Sequence, residues 1–285
     1  MSKDTRLDST PRRKQLLVTL RAFICATALT LGSSPATAVG FDITLNFLGG
    51  ISSSQESIFT QAELWWEDII SGYQPGVKLT GVSIDASAEA MDGEYGILGS
   101  AGPSKIASPY SNAGYYLPTD GAMSFDSADL SRLEVSNTLF DVIAHEMAHV
   151  FGFGTLWELN GLYDEISSPG QYTGANALAA YQAEFDSSAT FVPVEQEGGG
   201  GTAGGHWDEI YRGAGLTGIT DAEANDLRNE LMTGWYNAPA FLSNTTRQSF
   251  VDLGYTVNSP VPVPGAFWLF LSGLLAFGFV RRRHT

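Results

Sequence analysis

The chain has 285 residues and a formal net charge of −16, and 44% of its residues are hydrophobic, which is enough for one large or two small globular domains with a buried core. Residues 39–259 contain 6 basic and 29 acidic residues, and this net charge of −23 excludes a nucleic-acid-binding function because it repels phosphate backbones. The single cysteine, Cys25, excludes an internal disulfide framework, a cysteine-ligated zinc site and a cysteine nucleophile in the main body of the chain.

Residues 1–38 have the pattern of a secretory signal peptide. Basic residues precede an apolar run from Ala22 to Leu31, and Ala36-Thr37-Ala38 follows as an A-x-A cleavage site. The apolar run is too short to span a bilayer, which argues against a permanent anchor. The alternative is a disordered tail followed by a buried helix.

We expect residues 39–258 to form one catalytic domain of the α+β class, with helices packed on one sheet. Alternating apolar and polar residues predict the first strand, and an apolar stripe that includes Trp65 and Trp66 predicts a long core helix. The stretch Asp92–Gly121 is rich in Gly, Ser, Pro and Tyr, which predicts loops and short edge strands. The predicted strands are Phe41–Phe47 and Val77–Asp85, and the predicted helices are Gln55–Ser71, one from Ser136 or Asn137 to Phe151, and Thr245–Leu253.

The helix predicted to end at Phe151 contains an HExxH motif, His145-Glu146-Met147-Ala148-His149. Four residues turn a helix by roughly 400°, so His145 and His149 share one face and can bind one zinc ion. Glu146 points about 100° away, where its carboxylate can reach a water on the metal and act as a general base. Gly152 is placed to end the helix with a left-handed C-cap. The alternative is that the three polar residues are surface groups on an amphipathic helix.

The residues after the motif, Val150-Phe151-Gly152-Phe153-Gly154-Thr155-Leu156-Trp157, make this region resemble the leishmanolysin-type zinc metalloproteases of the metzincin clan. In most metzincins a third zinc histidine follows the glycine by three residues, but that position is Thr155 here. In leishmanolysin relatives the third histidine comes from far downstream, where this chain has only His206 and His284. Because His284 belongs to the C-terminal tail, the resemblance implies His206 as the third ligand. The alternative is a loop histidine that binds no metal.

The segment Glu230-Leu231-Met232-Thr233-Gly234 looks like the Glu-Leu-Met segment of the same family, which implies that Met232 packs beneath the zinc site. Met232 could also be ordinary core. The tyrosine that some metzincins carry two residues later is Gly234 here, so a tyrosine ligand is not predicted and Tyr236 is only a weak substitute. The stretch Ile210–Asn229 is a longer insertion than the family leads us to expect.

Scattered acidic residues in the middle of the chain, such as Asp126 and Asp129, lack the spacing of a calcium-binding loop. We expect them to form a solvated surface.

Residues 259–285 combine a Pro-rich linker, an apolar segment over 265–280 and the basic tail Arg281-Arg282-Arg283. The apolar segment would be about 24 Å long as a helix, short of a hydrocarbon core of roughly 30 Å. The tripartite pattern resembles the PEP-CTERM sorting signals of Gram-negative bacteria, although the usual Pro-Glu-Pro is Pro262-Val263-Pro264 here. That resemblance implies transient membrane retention, exosortase-type processing and export to the cell surface or medium. The alternative is an ordinary C-terminal membrane anchor.

Taken together, the patterns predict a secreted zinc endopeptidase that cleaves protein or peptide substrates, with Zn²⁺ on His145, His149 and His206 and with Glu146 as the catalytic base. The family resemblance implies a metzincin-like fold, in which a twisted mixed sheet and an active-site helix are joined to a looser C-terminal lobe. A substrate strand should then lie antiparallel to an edge strand of the sheet. The alternatives are a non-catalytic cell-surface or biofilm-matrix protein that retains a protease scaffold, and a zinc hydrolase acting on another amide bond.

Overall fold

The computed structural model describes residues 40–209 and 211–258. In this part of the chain the strands are β1 (Asp42–Gly49), β2 (Ile70–Tyr73), β3 (Gly81–Glu89), β4 (Gly99–Ala107), β5 (Leu117–Asp126), β6 (Gln171–Tyr172), β7 (Val192–Pro193) and β8 (Tyr255–Val257). The helices are α1 (Ser53–Ile69), α2 (Leu130–Val135), α3 (Leu139–Val150), α4 (Ala175–Glu184) and α5 (Asn244–Asp252), and short 3₁₀ turns lie at Pro109–Ser111, Tyr211–Gly213 and Leu227–Asn229.

The main sheet has four strands in the order β1-β3-β5-β4. Strands β1, β3 and β5 are parallel, whereas β4 pairs with β5 in the antiparallel direction and forms an edge of the sheet. An edge position suits β4 because it contains Pro103, which has no amide hydrogen to donate to a second neighbour. The architecture is therefore a mixed αβ one built on a mixed sheet, compatible with the predicted α+β class.

Helix α1 lies close to its predicted position. Ser52 caps its N-terminus in a capping box with Gln55, and Phe59, Ala62 and Trp66 are buried on its inner face. The indole Nε1–H of Trp66 donates to the backbone oxygen of Ala144 at 3.0 Å, so α1 is tied directly to α3. The helix ends at Ile69 rather than at Ser71, because Ile70 begins β2, which pairs with β8.

Two predictions for the sheet were wrong in part. The strand predicted at Val77–Asp85 is present but begins and ends four residues later, as β3. The stretch predicted to hold loops and short edge strands, Asp92–Gly121, does contain loops and the edge strand β4, but β4 is nine residues long, and the stretch also holds the first half of β5, an interior strand of the sheet. Gly121 of β5 is buried, and a Cβ there would lie 2.2 Å from Cγ1 of Val150. This glycine permits close packing of α3 on the sheet instead of marking a loop.

The prediction that Asp126 and Asp129 belong to a solvated surface was also wrong, since they are 1% and 0% exposed. Asp126 accepts backbone N–H groups of Asp92 and Gly93, and Asp129 accepts that of Tyr95. Their carboxylates replace water as hydrogen-bond partners for the loop between β3 and β4, which explains how they can be buried.

The predicted signal peptide (1–38) and the predicted linker, apolar segment and basic tail (259–285) lie outside the described residues. Among the residues that are described, no helix is both long and apolar enough to cross a bilayer.

The close contact between Gly121 and α3 implies that a larger side chain at this position would destabilise the protein. Gly121→Ala should lower the free energy of unfolding by about 1–3 kcal/mol, because the new methyl group overlaps a valine whose branched side chain has few rotamers. Gly102→Ala on β4 is the matched control: its Cβ would lie 3.6 Å from Cγ2 of Thr155, an ordinary contact, and the effect should stay within about 0.5 kcal/mol. Urea unfolding of the two variants measures the difference, and equal stabilities would contradict the packing described.

Candidate metal centre

Helix α3 carries the HExxH motif and starts later than predicted. The chain first forms α2, then Asn137 takes a φ of 58°, and α3 begins at Leu139 after Thr138. Its C-terminal end agrees with the prediction: Gly152 has a φ of 110°, and its N–H donates to the backbone oxygen of His149. The apolar residues of α3 are buried against α1 and the sheet, which leaves the two motif histidines facing a cleft.

His206 reaches the same place from an irregular segment 57 residues after His149. Its neighbour Trp207 holds the segment: the backbone N–H donates to the oxygen of Met232 at 3.0 Å, and the indole Nε1–H donates to Oγ1 of Thr246 at 2.8 Å. The Trp207 ring also stacks on Trp157, with 4.9 Å between centroids. Trp207 and Thr233, which lie on either side of the long insertion in the sequence, form a parallel bridge. The chain before the insertion and the chain after it are therefore held together at the site.

The three histidines that were predicted as ligands meet in space. Their Nε2 atoms are separated by 3.0 Å (His145 to His149), 3.1 Å (His145 to His206) and 3.0 Å (His149 to His206). Two nitrogen ligands of one tetrahedral ion at 2.0–2.1 Å would be roughly 3.4 Å apart, so the triangle is close to the size that one ion requires. In the described part of the chain, no other set of three or more His, Cys, Asp or Glu side chains is grouped in this way.

A hydrogen bond at the other ring nitrogen, Nδ1, fixes the tautomer of each histidine. Nδ1 of His145, His149 and His206 lies 2.7, 2.9 and 2.8 Å from the backbone oxygens of Leu231, Phe153 and Thr202. A carbonyl oxygen can only accept, so each neutral ring carries its proton on Nδ1 and presents a lone pair at Nε2. Three lone pairs then converge without a proton between them, an arrangement that is repulsive by itself and that a cation relieves.

Burial keeps the three rings in the neutral form that binds metal. Desolvation lowers the pKa of His145, and it lowers the pKa of His206 to about 3. The pKa of His149 lies well below its usual range, mainly through desolvation and also through the charges of the other two rings. The donor chemistry, the spacing and the protonation state all fit a metal ion, which these three histidines could hold.

Glu146 lies beside the three histidines and lines the same cleft. It is 6% exposed, and burial raises its pKa to about 8. The edge strand β4 passes close to it: a Cβ on Gly99 would lie 3.0 Å from Oε1 of Glu146. The glycine thus allows the strand to approach the carboxylate, and a buried carboxylate of this kind is a stronger base than one in water.

Met232 is fully buried in the segment that follows the insertion. The preceding residue, Leu231, supplies the carbonyl oxygen that orients His145. The backbone oxygen of Met232 itself accepts the backbone N–H of Trp207. The segment predicted to pack beneath the site is therefore joined to two of its elements through backbone groups.

Glu230, the first residue of the Glu-Leu-Met segment, has a structural role that the sequence did not predict. Its buried carboxylate accepts hydrogen bonds from the backbone N–H of Met232, from the backbone and hydroxyl of Ser243, and from the hydroxyl of Thr246. It links the segment under the histidines to the N-terminus of α5. The only signal in the sequence was an acidic residue next to an apolar pair, which does not reveal burial.

The aromatic and hydroxyl groups near the site are held by other partners. The Tyr236 hydroxyl donates to Oδ2 of Asp141 at 2.7 Å, and Tyr236 also lines the cleft. Thr155, at the position of the usual third metzincin histidine, donates its hydroxyl to the backbone oxygen of His149 at 2.7 Å. Thr155 therefore supports the end of α3.

The cleft has a volume of about 1030 Å³. It is lined by the start of β4, by the side of α3 that carries His145, Glu146 and His149, by the glycine-rich loop Gly198–Gly205 and by residues 233–236. It is large enough for several residues of an extended polypeptide.

Comparisons with known proteins add no family. No protein-family model matches the chain, and no curated protein matches it significantly. The leishmanolysin-type resemblance and the sorting-signal resemblance therefore stay predictions from the motifs quoted above.

A second buried acid near the site, Glu209, should make the stability of the protein depend on pH. Its Oε2 accepts the N–H of Gly234 at 2.9 Å, whereas Oε1 has no hydrogen-bond partner among the described residues. Burial, opposed in part by the Gly234 hydrogen bond, raises its pKa to about 8. The native state then holds more protons than the unfolded state between about pH 4.5 and 8, so stability falls as the pH rises through this window.

Glu209→Gln should remove the fall in stability that Glu209 causes between about pH 4.5 and 8. The stability of the wild type relative to the variant should fall from pH 5 to pH 8, by roughly 1.4 kcal/mol for each unit by which the folded and unfolded pKa values differ. Urea unfolding at both pH values measures it. Glu197→Gln, at an exposed glutamate that pairs with Arg212 on the surface, controls for the loss of one negative charge, and an equal trend in both variants would contradict the assignment to Glu209.

Proposed function

We propose that the protein is a zinc-dependent endopeptidase with a metzincin-like fold, similar to the leishmanolysin-type metalloproteases. The observation that carries the proposal is the set of three histidines, two buried and one half-buried, next to a buried glutamate in an open cleft. Each histidine has Nδ1 held by a backbone carbonyl and Nε2 directed at a common point. Three imidazoles with one open position are the ligand set that zinc takes in hydrolytic enzymes.

His145, His149 and His206 would hold the ion. When bound, zinc supplies Lewis-acid chemistry: it lowers the pKa of a water molecule and polarises the carbonyl to be attacked. The chain itself supplies the orientation of the three rings, because the carbonyls of Leu231, Phe153 and Thr202 prevent them from rotating or from taking the other tautomer.

Glu146 is the group that moves protons. Its carboxylate accepts a proton from the attacking water and later delivers it to the nitrogen of the departing amine, so one residue acts first as base and then as acid. Its buried position favours this role, because desolvation raises the pKa of the carboxylate and so makes it a stronger base than a carboxylate in water.

The edge strand supports a polypeptide as the substrate. Residues 98–101, at the start of β4, line the cleft, and no strand among the described residues pairs with the side of β4 away from β5. An extended peptide can add to such an edge through main-chain hydrogen bonds, antiparallel to β4, without a requirement for one sequence. A chain bound in this way would pass Glu146 and the three histidines, which line the same cleft, so the cut would fall within the chain.

Export and membrane association complete the proposal and rest on sequence alone. Residues 1–38 would direct secretion, and residues 265–280 would provide transient or permanent membrane association with exosortase-type processing.

His206→Ala should lower the bound zinc to well below one ion per chain, because two imidazoles on one helical turn bind zinc far more weakly than three ligands. Thr155→Ala is the control, since Thr155 contacts the end of α3 without belonging to the ligand set. Metal analysis of the purified chain after dialysis against dilute zinc measures both. Full zinc content in His206→Ala would remove this histidine from the site.

Glu146→Gln should keep one zinc per chain and lose proteolysis by about 10²–10⁴-fold, because the amide has nearly the same shape but cannot take up a proton. Glu165→Gln, at another carboxylate that lines the cleft, should retain activity. Digestion of casein, with and without a chelator, is the assay. Undiminished digestion by Glu146→Gln would exclude Glu146 as the base, and an inactive wild type with full zinc would favour a binding protein.

A further inference from the structure

The loop Asp92–Ile97, between β3 and β4, forms one lip of the cleft. Asp92, Tyr95 and Ile97 line the cavity, and Leu98 continues the same wall into β4. Two of these side chains are large, apolar and exposed: Tyr95 is 74% exposed and Ile97 is 55% exposed. Apolar groups that are kept in water beside a binding cleft often mark a contact surface.

The backbone of this lip is held by two buried aspartates, Asp126 at the end of β5 and Asp129 shortly after it. Oδ2 of Asp126 accepts the N–H groups of Asp92 at 3.0 Å and Gly93 at 2.8 Å. Oδ1 of Asp129 accepts the N–H of Tyr95 at 3.1 Å. Hydrogen bonds to charged acceptors that are shielded from water are strong, so the loop has a defined position relative to the active-site cleft.

Arg132, on α2, holds the side chain of the same tyrosine. Its guanidinium pairs with Asp129, and its Cζ lies 4.5 Å from the centroid of the Tyr95 ring. Among the described residues that line the cleft, Arg132 is the only lysine or arginine. Its charge is already neutralised by Asp129, so its contribution at the lip is to support the aromatic ring.

Tyr95 adopts a backbone conformation that aromatic residues rarely take. Its φ is 70°, in the left-handed region that favours glycine. A glycine would fit this backbone without strain, and a small polar residue would avoid exposing an aromatic ring to water. Neither the backbone conformation nor the exposure of position 95 therefore explains why it carries a tyrosine. Strained residues that the surrounding structure holds in place concentrate at functional sites.

We propose that Tyr95 is a specificity-determining residue that contacts the substrate, and that its ring receives an apolar side chain of the bound polypeptide. The inference rests on the proposed peptidase function and deepens it by naming the substrate feature recognised at this lip. Asp126, Asp129 and Arg132 act as positioning residues for it. Tyr95, Ile97 and Leu98 together offer an apolar surface to a chain that lies along β4.

The test compares Tyr95→Gly with two other variants of the full chain. Tyr95→Gly removes the ring and relieves the positive φ, so it should raise KM for dye-labelled casein about tenfold with little change in kcat, while Tm stays within about 3 °C of the wild type. Tyr95→Phe should restore KM to within about twofold. Ala224→Gly relieves a similar φ of 67° at an exposed site outside the cleft and should leave KM unchanged.

Mapping the cleavage sites in casein by mass spectrometry adds a readout of specificity. The wild type should favour an apolar residue at one position relative to the cut, and Tyr95→Gly should reduce that preference several-fold while the zinc content stays the same. An unchanged KM and an unchanged cleavage pattern would overturn the proposal. A fall in kcat together with a large fall in Tm would show a purely structural role and overturn it as well.

Binding of casein separates a failure of this inference from a failure of the proposed function. In the Glu146→Gln background cutting is too slow to interfere with a binding measurement, and adding Tyr95→Gly should weaken casein binding about tenfold. Equal affinities overturn the role of Tyr95 even where the wild type digests casein. A wild type that binds casein but never digests it removes the peptidase proposal, and a weaker affinity in the double variant then still supports Tyr95 as a contact for polypeptide.

Discussion

Three ring N–H groups that donate to three backbone carbonyls determine the character of the site. They fix the tautomer of His145, His149 and His206 and leave only lone pairs at the point where the rings meet. The carbonyls come from three separate segments: the loop that ends α3, the glycine-rich loop before His206, and the turn that contains Met232. The orientation of the ligands therefore depends on all three segments being in place, although two of the histidines lie one helical turn apart.

Much of the segment between α3 and α5 has little regular structure, so its buried polar groups need other partners. Buried carboxylates provide many of them: Glu230 joins the turn at Met232 to the start of α5, and Glu209 binds the N–H of Gly234. Stacked aromatic rings, chiefly those of Trp157 and Trp207, supply the packing. An irregular chain can present a metal ligand accurately in this way, because each backbone group near the ligand is held by a specific contact.

The part of the site that the sequence could predict is the part set by local geometry. The spacing of His145 and His149 on a helix, the positive φ at Gly152 and the ends of α5 all follow from residue types within a few positions of one another. His206 was identified through a family resemblance, and the structure brings it to the other two histidines. Its position depends on contacts with Met232 and Thr246, which no local pattern reports.

The predictions that were wrong concern residues whose role depends on tertiary contacts. Gly99, Gly102 and Gly121 made a strand-rich region look like loops, whereas Gly99 allows β4 to approach Glu146 and Gly121 allows α3 to pack on β5. Asp126 and Asp129 looked like surface acids because a charged residue is usually solvated, and only the fold shows the loop N–H groups that they bind. Composition cannot distinguish a glycine in a turn from one under a helix, nor an exposed carboxylate from a buried acceptor.

The most direct test of the central claim is X-ray absorption at the zinc edge on the purified chain loaded with one equivalent of zinc. We expect three imidazole ligands at about 2.0–2.1 Å, and the loss of one of them in His206→Ala. A first shell with fewer than three imidazoles, or one that is the same in wild type and variant, would contradict a site built from His145, His149 and His206.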